Sequence, residues 1–262
     1  MNLLKIGTIV SVIGLLLSGC ASTTMLGTMK SERKQFLAYP AAQFQTDSDA
    51  VYAKTISEHT TVNNPVVNRV TKRLIKQAPI YRPDAAQWNW TVYTLKADTL
   101  NAFCAAGGKM AIYTGLIDRL QLSEDEIAAV MSHEVAHALR EHGRERASLS
   151  YVKNVGLGLA LSAAGMGQSA NQAVAIATEL GFDLPNSRKH ETEADLIGIE
   201  MMARAGYNPE AAISVWQKMQ KINGDNSVAF LSTHPTPKNR IEEIQKHIEI
   251  VKPLYLAANQ SK

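Results

Sequence analysis

The chain has few cysteines, few aromatic residues and almost no excess of charge. Two cysteines in 262 residues exclude a disulfide-dense scaffold. Aromatic side chains make up 6% of the sequence, too few for a base-stacking platform. Twenty-seven basic residues against 24 acidic ones give a formal charge of +3, and no basic run exceeds two residues. A nucleic-acid partner is therefore not expected. No apolar run reaches the roughly 18 residues that a membrane-spanning helix needs. There is no internal repeat. What remains is 45% hydrophobic and 19% charged, enough apolar material for a sizeable core and too much for a disordered chain.

The first twenty residues read as an export signal. Lys5 precedes a 12-residue apolar stretch, Ile6 to Leu17, interrupted only by small residues. That length suits a signal-peptide core and is too short to span a bilayer. The stretch ends in Leu17-Ser18-Gly19-Cys20, which resembles a bacterial lipobox: small residues fit the peptidase cleft and the cysteine sulfur takes the lipid. Lipidation at Cys20 is expected, and several acyl chains, at about 0.8 kcal/mol per buried CH2, make a stable membrane anchor. Ala21, not Asp, follows the cysteine, and in bacterial lipoproteins this implies the outer membrane, with the protein facing the periplasm. Residues 21–45 are small and polar and are expected to form a tether and first helix, leaving 46–262 as one domain. Cys104 is then the only thiol, so no intramolecular disulfide is expected.

Hydrophobic periodicity places the main elements. Asn64 to Ala78 reads as a helix with Val66, Val67, Val70, Leu74 and Ile75 on one face and Pro65 in its first turn. Trp88 to Leu95 alternates as a strand, and Thr99 to Tyr113 reads as strand, turn, strand around Gly107-Gly108. Helical patterns cover Ser123 to His142, Ser187 to Ala205, Pro209 to Ile222 and Pro237 to Ile250, with Gly143 and Gly206 where C-caps are expected. Residues 148–181 are rich in Gly and Ala and read as a loosely packed helical lid, or as a segment that touches the membrane.

The chemistry concentrates in Ser123-Glu-Asp-Glu126-Ile-Ala-Ala-Val-Met-Ser-His133-Glu134-Val-Ala-His137. Ser123 and Glu126 form a capping box, and Leu122 can staple onto Ile127. His133 and His137, four residues apart, differ by about 40° around a helix axis and project side by side. That is the geometry two imidazoles need to share one zinc ion. Their face is mostly apolar (Val130, Met131, Ala138), which suits ligands aimed into a dry pocket. Glu134 flanks the pair and can reach a water without binding the metal. A third ligand is expected in His190-Glu191-Thr192-Glu193-Ala194-Asp195, where Glu191 and Asp195 again share a face. Glu191 suits the ligand role and Asp195 that of a carboxylate fixing a histidine tautomer. Glu193 lies about 200° from Glu191, is expected to face elsewhere, and should matter little to the metal.

H-E-x-x-H followed by E-x-x-A-D resembles the gluzincin metallopeptidases of the HtpX/Ste type. The lipobox makes the chain similar to the LoiP-like lipoprotein branch, to which BepA is related. The resemblance runs from about Ala50 to Ile250. Asn101-Ala102-Phe103 with Gly107-Gly108 resembles an N-A-F…P-G-G segment, with Ala106 departing from the proline. Ser232-Thr233-His234-Pro235 with Arg240-Ile241 resembles S-T-H-P…R-I. The resemblance implies a mostly helical α+β fold, one Zn2+ per chain and a zinc endopeptidase in which Glu134 is the general base.

Further roles follow as expectations. Cys104 has no paired histidine nearby and reads as a small core residue rather than a nucleophile. Lys109 to Tyr113 is expected to be an edge strand. There Gly107, Gly108, Lys109, Met110 and Ala111 would hold an extended peptide by main-chain pairing. His234 either donates to the oxyanion of the substrate or fills the zinc's open position and keeps the enzyme latent. Arg240 is expected to anchor a carboxylate near the site. The substrates expected are unfolded or damaged envelope proteins. The rival reading is an assembly factor or chaperone for outer-membrane proteins, partnered with the assembly machinery, that seldom cleaves.

Overall fold

The computed structural model describes residues 20–25, 27–29, 33–163, 185–222, 229–235 and 239–260. Residues 1–19 of the export signal and 164–181 of the expected lid lie outside the described residues. The class is the expected one, a helical fold around a small four-stranded sheet.

Local signals set most helix starts. Helix α1 is Ala41–Ser57 and α2 is Pro65–Ile75. The Asn64 carboxamide oxygen caps α2, accepting from the amides of Val66 and Val67 at 3.1 and 3.2 Å. Val67, Val70 and Leu74 are fully buried, as the apolar face requires. After the short α3 (Ala78–Tyr81), residues Pro83–Gln87 wind as a 3-10 turn. The expected strand therefore begins later than Trp88: β4 is Thr91–Leu95, and the Trp90 indole donates instead to the Ala85 carbonyl at 2.8 Å.

The main sheet has the order β3-β4-β6-β5, with β3 Thr61–Val62, β5 Ala102–Ala105 and β6 Lys109–Tyr113. Strands β5 and β6 form the expected hairpin, turning at Gly107 and Gly108 with φ of 72° and 85°. A Cβ on Gly108 would lie 2.5 Å from the Trp90 ring. One expectation is overturned. Lys109 to Tyr113 is not an edge: β6 pairs with β5 on one side and, in parallel, with β4 on the other. The chain leaves β4, runs outward through β5 and returns between them, so the free edge belongs to β5. Gly107 and Gly108 are the turn, and Met110 and Ala111 are buried in the sheet.

After the short α4 (Thr114–Arg119), the domain is organised around α5, Glu124–Leu139, with every residue from Glu126 to Leu139 buried. The capping box is made in full: Ser123 Oγ accepts from the Glu126 amide at 3.3 Å, and Ser123 N donates to Glu126 Oε2 at 2.8 Å. The helix ends on Arg140, followed by Glu141 in the left-handed region (φ 51°), and α6 begins at once, His142–Ala163. The left-handed position thus falls to Glu141 rather than Gly143. Its carboxylate is pinned by Arg82 at 2.7 Å and Arg144 at 2.8 Å. Gly206 does terminate α7 (Arg188–Arg204) at φ 75°. Helix α7 packs against α5 so closely that a Cβ on Gly198 would sit 3.2 Å from the His133 amide nitrogen. Helices α8 (Ala211–Lys221), α9 (Ala229–Thr233) and α10 (Arg240–Gln260) complete the domain. Among the described residues, no helix is long and apolar enough to cross a membrane.

The segment expected as a tether is fastened to this body. Strand β1 (Cys20–Ala21) pairs antiparallel with β2 (Gln35–Phe36). Between them the amide of Met25 donates to the Tyr81 carbonyl, and those of Thr28 and Met29 donate to the buried Glu200 carboxylate.

Candidate metal centre

Four side chains from three parts of the chain meet beside α5. His133 and His137 come from α5, Glu191 from the first turn of α7, and His234 from the residue after α9; one ligand atom of each lies within 4.8 Å of the others. The Nε2 atoms of His133 and His137 are 3.0 Å apart. The two Glu191 carboxylate oxygens lie 3.4 Å from His133 Nε2 and 3.3 Å from His137 Nε2. His234 Nδ1 is 3.1 Å from Glu191 and 3.3 Å from His133. All four are buried. Facing imidazole nitrogens around a carboxylate are the donors a borderline divalent cation takes, so the residues fit a metal ion of that kind. Burial opposes ionisation of Glu191, but His234, His133 and His137 outweigh it and hold the carboxyl far below the usual range.

Glu134 stands next to this set without joining it. Its Oε1 is one of two buried side-chain polar atoms, among the described residues, that make no hydrogen bond. It lies 3.4 Å from His234 Nε2 and borders a cavity of about 460 Å³. That cavity is lined by Asn101, Phe103 and Gly107 on the sheet side, and by Glu134, His137 and His234 on the other. Burial pushes the Glu134 carboxyl up, against the charges of His234 and His133. An unpartnered acceptor of raised basicity facing a cavity is placed to take a proton.

The structure brings the expected support residues to His133. Asp195 Oδ1 lies 3.0 Å from its Nδ1. Arg240 grips both oxygens of Asp195 at 2.7 Å, reaches Glu191 Oε2 at 2.7 Å and lies 3.5 Å above the Trp216 ring. Asp195 and Glu191 overcome the penalty of burial and push His133 up to about 9. Cys104 is half-buried, its thiol pushed well up by burial, and its sulfur contacts the Ala105 carbonyl at 3.6 Å, in keeping with a core residue.

Behind His137 lies a group that the sequence did not bring out. His142 Nδ1 is 2.8 Å from His137 Nδ1, and His142 Nε2 is 2.9 Å from Glu193. Glu193 does face away from Glu191, as expected, but toward buried partners. The signal available was His142 itself, five residues past His137 and just beyond the helix end. Burial, with cationic neighbours beside them, holds His137 and His142 well below the ordinary histidine value.

A buried H-E-x-x-H helix, completed by a glutamate from a second helix, defines a metallopeptidase centre of the gluzincin type. The model of peptidase family M48 matches residues 61–248, and the chain belongs to that family. It is 35% identical over 182 residues to the mitochondrial metalloendopeptidase OMA1 of Schizosaccharomyces pombe, covering 69% of this chain and 51% of the relative. It is 24% identical over 213 residues to the beta-barrel assembly-enhancing protease of Escherichia coli K12, covering 76% of this chain and 42% of the relative. The chain thus spans about half the length of the curated relatives it matches. The four donors, Glu134, Asp195 and Arg240 all fall within the family match.

Proposed function

We propose that the protein is a zinc-dependent endopeptidase, lipid-anchored through Cys20 to a bacterial outer membrane and facing the periplasm, in the LoiP-like branch of its family. His133, His137 and Glu191 would hold the ion. Zinc there supplies a Lewis acid that polarises the scissile carbonyl and lets water lose a proton near neutral pH. Glu134 takes that proton and returns it to the leaving amine, so no covalent intermediate and no Ser or Cys nucleophile is required. The β5 edge, Ala102–Ala105, lies along the same cavity and can pair with an extended peptide through its main chain. Main-chain pairing demands little of sequence, which suits unfolded or damaged envelope proteins as substrates.

His234 fits the latency role better than the oxyanion role, because its Nδ1 sits among the metal donors rather than out over the cavity. His234→Ala is then expected to raise turnover with zinc retained. The observation that carries the whole reading is the buried Glu134 carboxylate, whose Oε1 makes no hydrogen bond, beside the four-residue donor set. The test is digestion of casein or an unfolded porin, with and without chelator, by the wild type and by Glu134→Gln at equal zinc content. Chelator-insensitive cleavage, or an active Glu134→Gln, would refute it. A role in outer-membrane protein assembly is a second reading, favoured by the likeness to the beta-barrel assembly-enhancing protease. It calls for an effect on porin assembly that survives Glu134→Gln.

A further inference from the structure

We propose that the described part of the N-terminal strap, residues 20–25, 27–29 and 33–36, is a working part of the metal centre: Arg33 fixes Glu193, Glu193 holds His142, and His142 sets the orientation and tautomer of His137. This rests on the zinc reading of the donor set. Arg33 donates to Glu193 through Nε at 2.7 Å and to Glu145 through Nη2 at 2.7 Å. Gln35, on the same strap, donates to Glu145 at 2.9 Å and to the Arg140 carbonyl. Arg140, fully buried, returns bonds to Glu193 at 3.2 Å, to the Arg33 carbonyl at 3.1 Å and to Thr24 Oγ1 at 2.9 Å. His190 stacks on the His142 ring, 4.4 Å away and 16° from parallel, and lies 3.2 Å from Glu145.

The proton logic runs one way. The Glu193 carboxylate can only accept, so His142 Nε2 must donate to it. With its proton on Nε2, His142 presents the lone pair of Nδ1 to His137 Nδ1, 2.8 Å away. Only a proton on His137 Nδ1 satisfies the contact between those rings, and this leaves the His137 Nε2 lone pair free to face the donor set. Two guanidinium groups, Arg33 and Arg140, balance two carboxylates, Glu145 and Glu193, all well or partly buried. Without Arg33 both buried carboxylates lose one of their cationic partners, and the brace behind His137 loosens. Arg33 and His142 are thus positioning residues, acting on the metal through His137.

The test measures zinc affinity of the full chain by chelator competition, together with the visible spectrum of the cobalt(II)-substituted protein. Variants are Arg33→Ala, Arg33→Lys, Glu193→Gln and His142→Phe, the last keeping the stack on His190 while removing the acceptor. Zinc affinity should fall about 10–100-fold in His142→Phe, the usual cost of losing such a partner. It should fall less in Arg33→Ala and Glu193→Gln, and Arg33→Lys should restore part of the loss, with the cobalt bands shifting in parallel. Unchanged affinity and spectra in folded Arg33→Ala and Glu193→Gln, whatever happens to Tm, would overturn the inference. Glu191→Ala is measured alongside. If it abolishes zinc binding while the strap variants do nothing, only the strap inference falls. If the wild type takes up no zinc, the proposed function falls and the inference with it.

Discussion

His133 and His137 belong to one helix and one motif, yet they are braced by different residues, anchored toward opposite ends of the chain by Arg240 and Arg33. Behind His133 stand Asp195 and Arg240, from the C-terminal half; behind His137 stand His142 and Glu193, locked by Arg33 of the N-terminal strap. The first brace presents carboxylates that outweigh burial, and His133 gains affinity for protons; the second presents an imidazole, which leaves the effect of burial unopposed, and His137 loses it. A shared spacing thus says where ligands point, while what lies behind each ligand decides how it holds its proton.

The largest effect that would sharpen this comparison is expected from Arg240→Ala. It strips Asp195 and Glu191 of a fully buried partner, which typically costs 3–5 kcal/mol and should also weaken zinc binding. Arg33, with its side chain 24% exposed, should cost clearly less in denaturant unfolding. Equal losses would erase the distinction between the two braces. Next comes Asp195→Asn, expected to lower zinc affinity about 10–100-fold. Combined with His142→Phe, the losses should add to within about 0.5 kcal/mol if the braces are independent; a larger coupling energy would join them into one network.

A smaller effect concerns pH in the metal-free protein. His133 is raised to about 9 from an unfolded value of 6.5, so its contribution is complete below pH 6.5 and is lost as pH climbs toward 9. His137 and His142 are lowered, so their contribution is present above pH 6.5 and is lost as pH falls below it. The joint contribution of these three histidines should be largest near pH 6.5, the alkaline limb amounting to about 3 kcal/mol. Asp195→Asn should flatten that limb alone. A thermal-melt series in which it flattens the acid limb instead would reverse the assignment. The smallest effect on the metal belongs to Glu134→Gln, which touches neither brace: zinc affinity should stay within about twofold while turnover disappears.

The sequence made one brace legible and hid the other. Asp195 was found because helical periodicity puts it on the face of Glu191, and both donors of α5 followed from the same arithmetic. The brace behind His137 depends on Glu141 turning left-handed and on contacts with the strap 112 and 160 residues away, which no local pattern encodes. The sheet divided in the same way. The β5–β6 hairpin was read from its glycines, whereas the parallel pairing of β4 with β6 is non-local and moved the free edge to β5. His234 and Arg240 came into view only through the resemblance of their segment to S-T-H-P…R-I.

The strap also has a bearing on timing. It is the first of the described segments to be synthesised, but Arg33 meets Glu193 across 160 residues and Thr28 meets Glu200 across 172. Closing loops of that length comes late in folding, after local helices have formed. A growing chain therefore holds the His133–His137 helix without the brace behind His137. Completion of the candidate centre reports that nearly the whole domain has been made, so the donor set is finished only once the chain carrying it is folded.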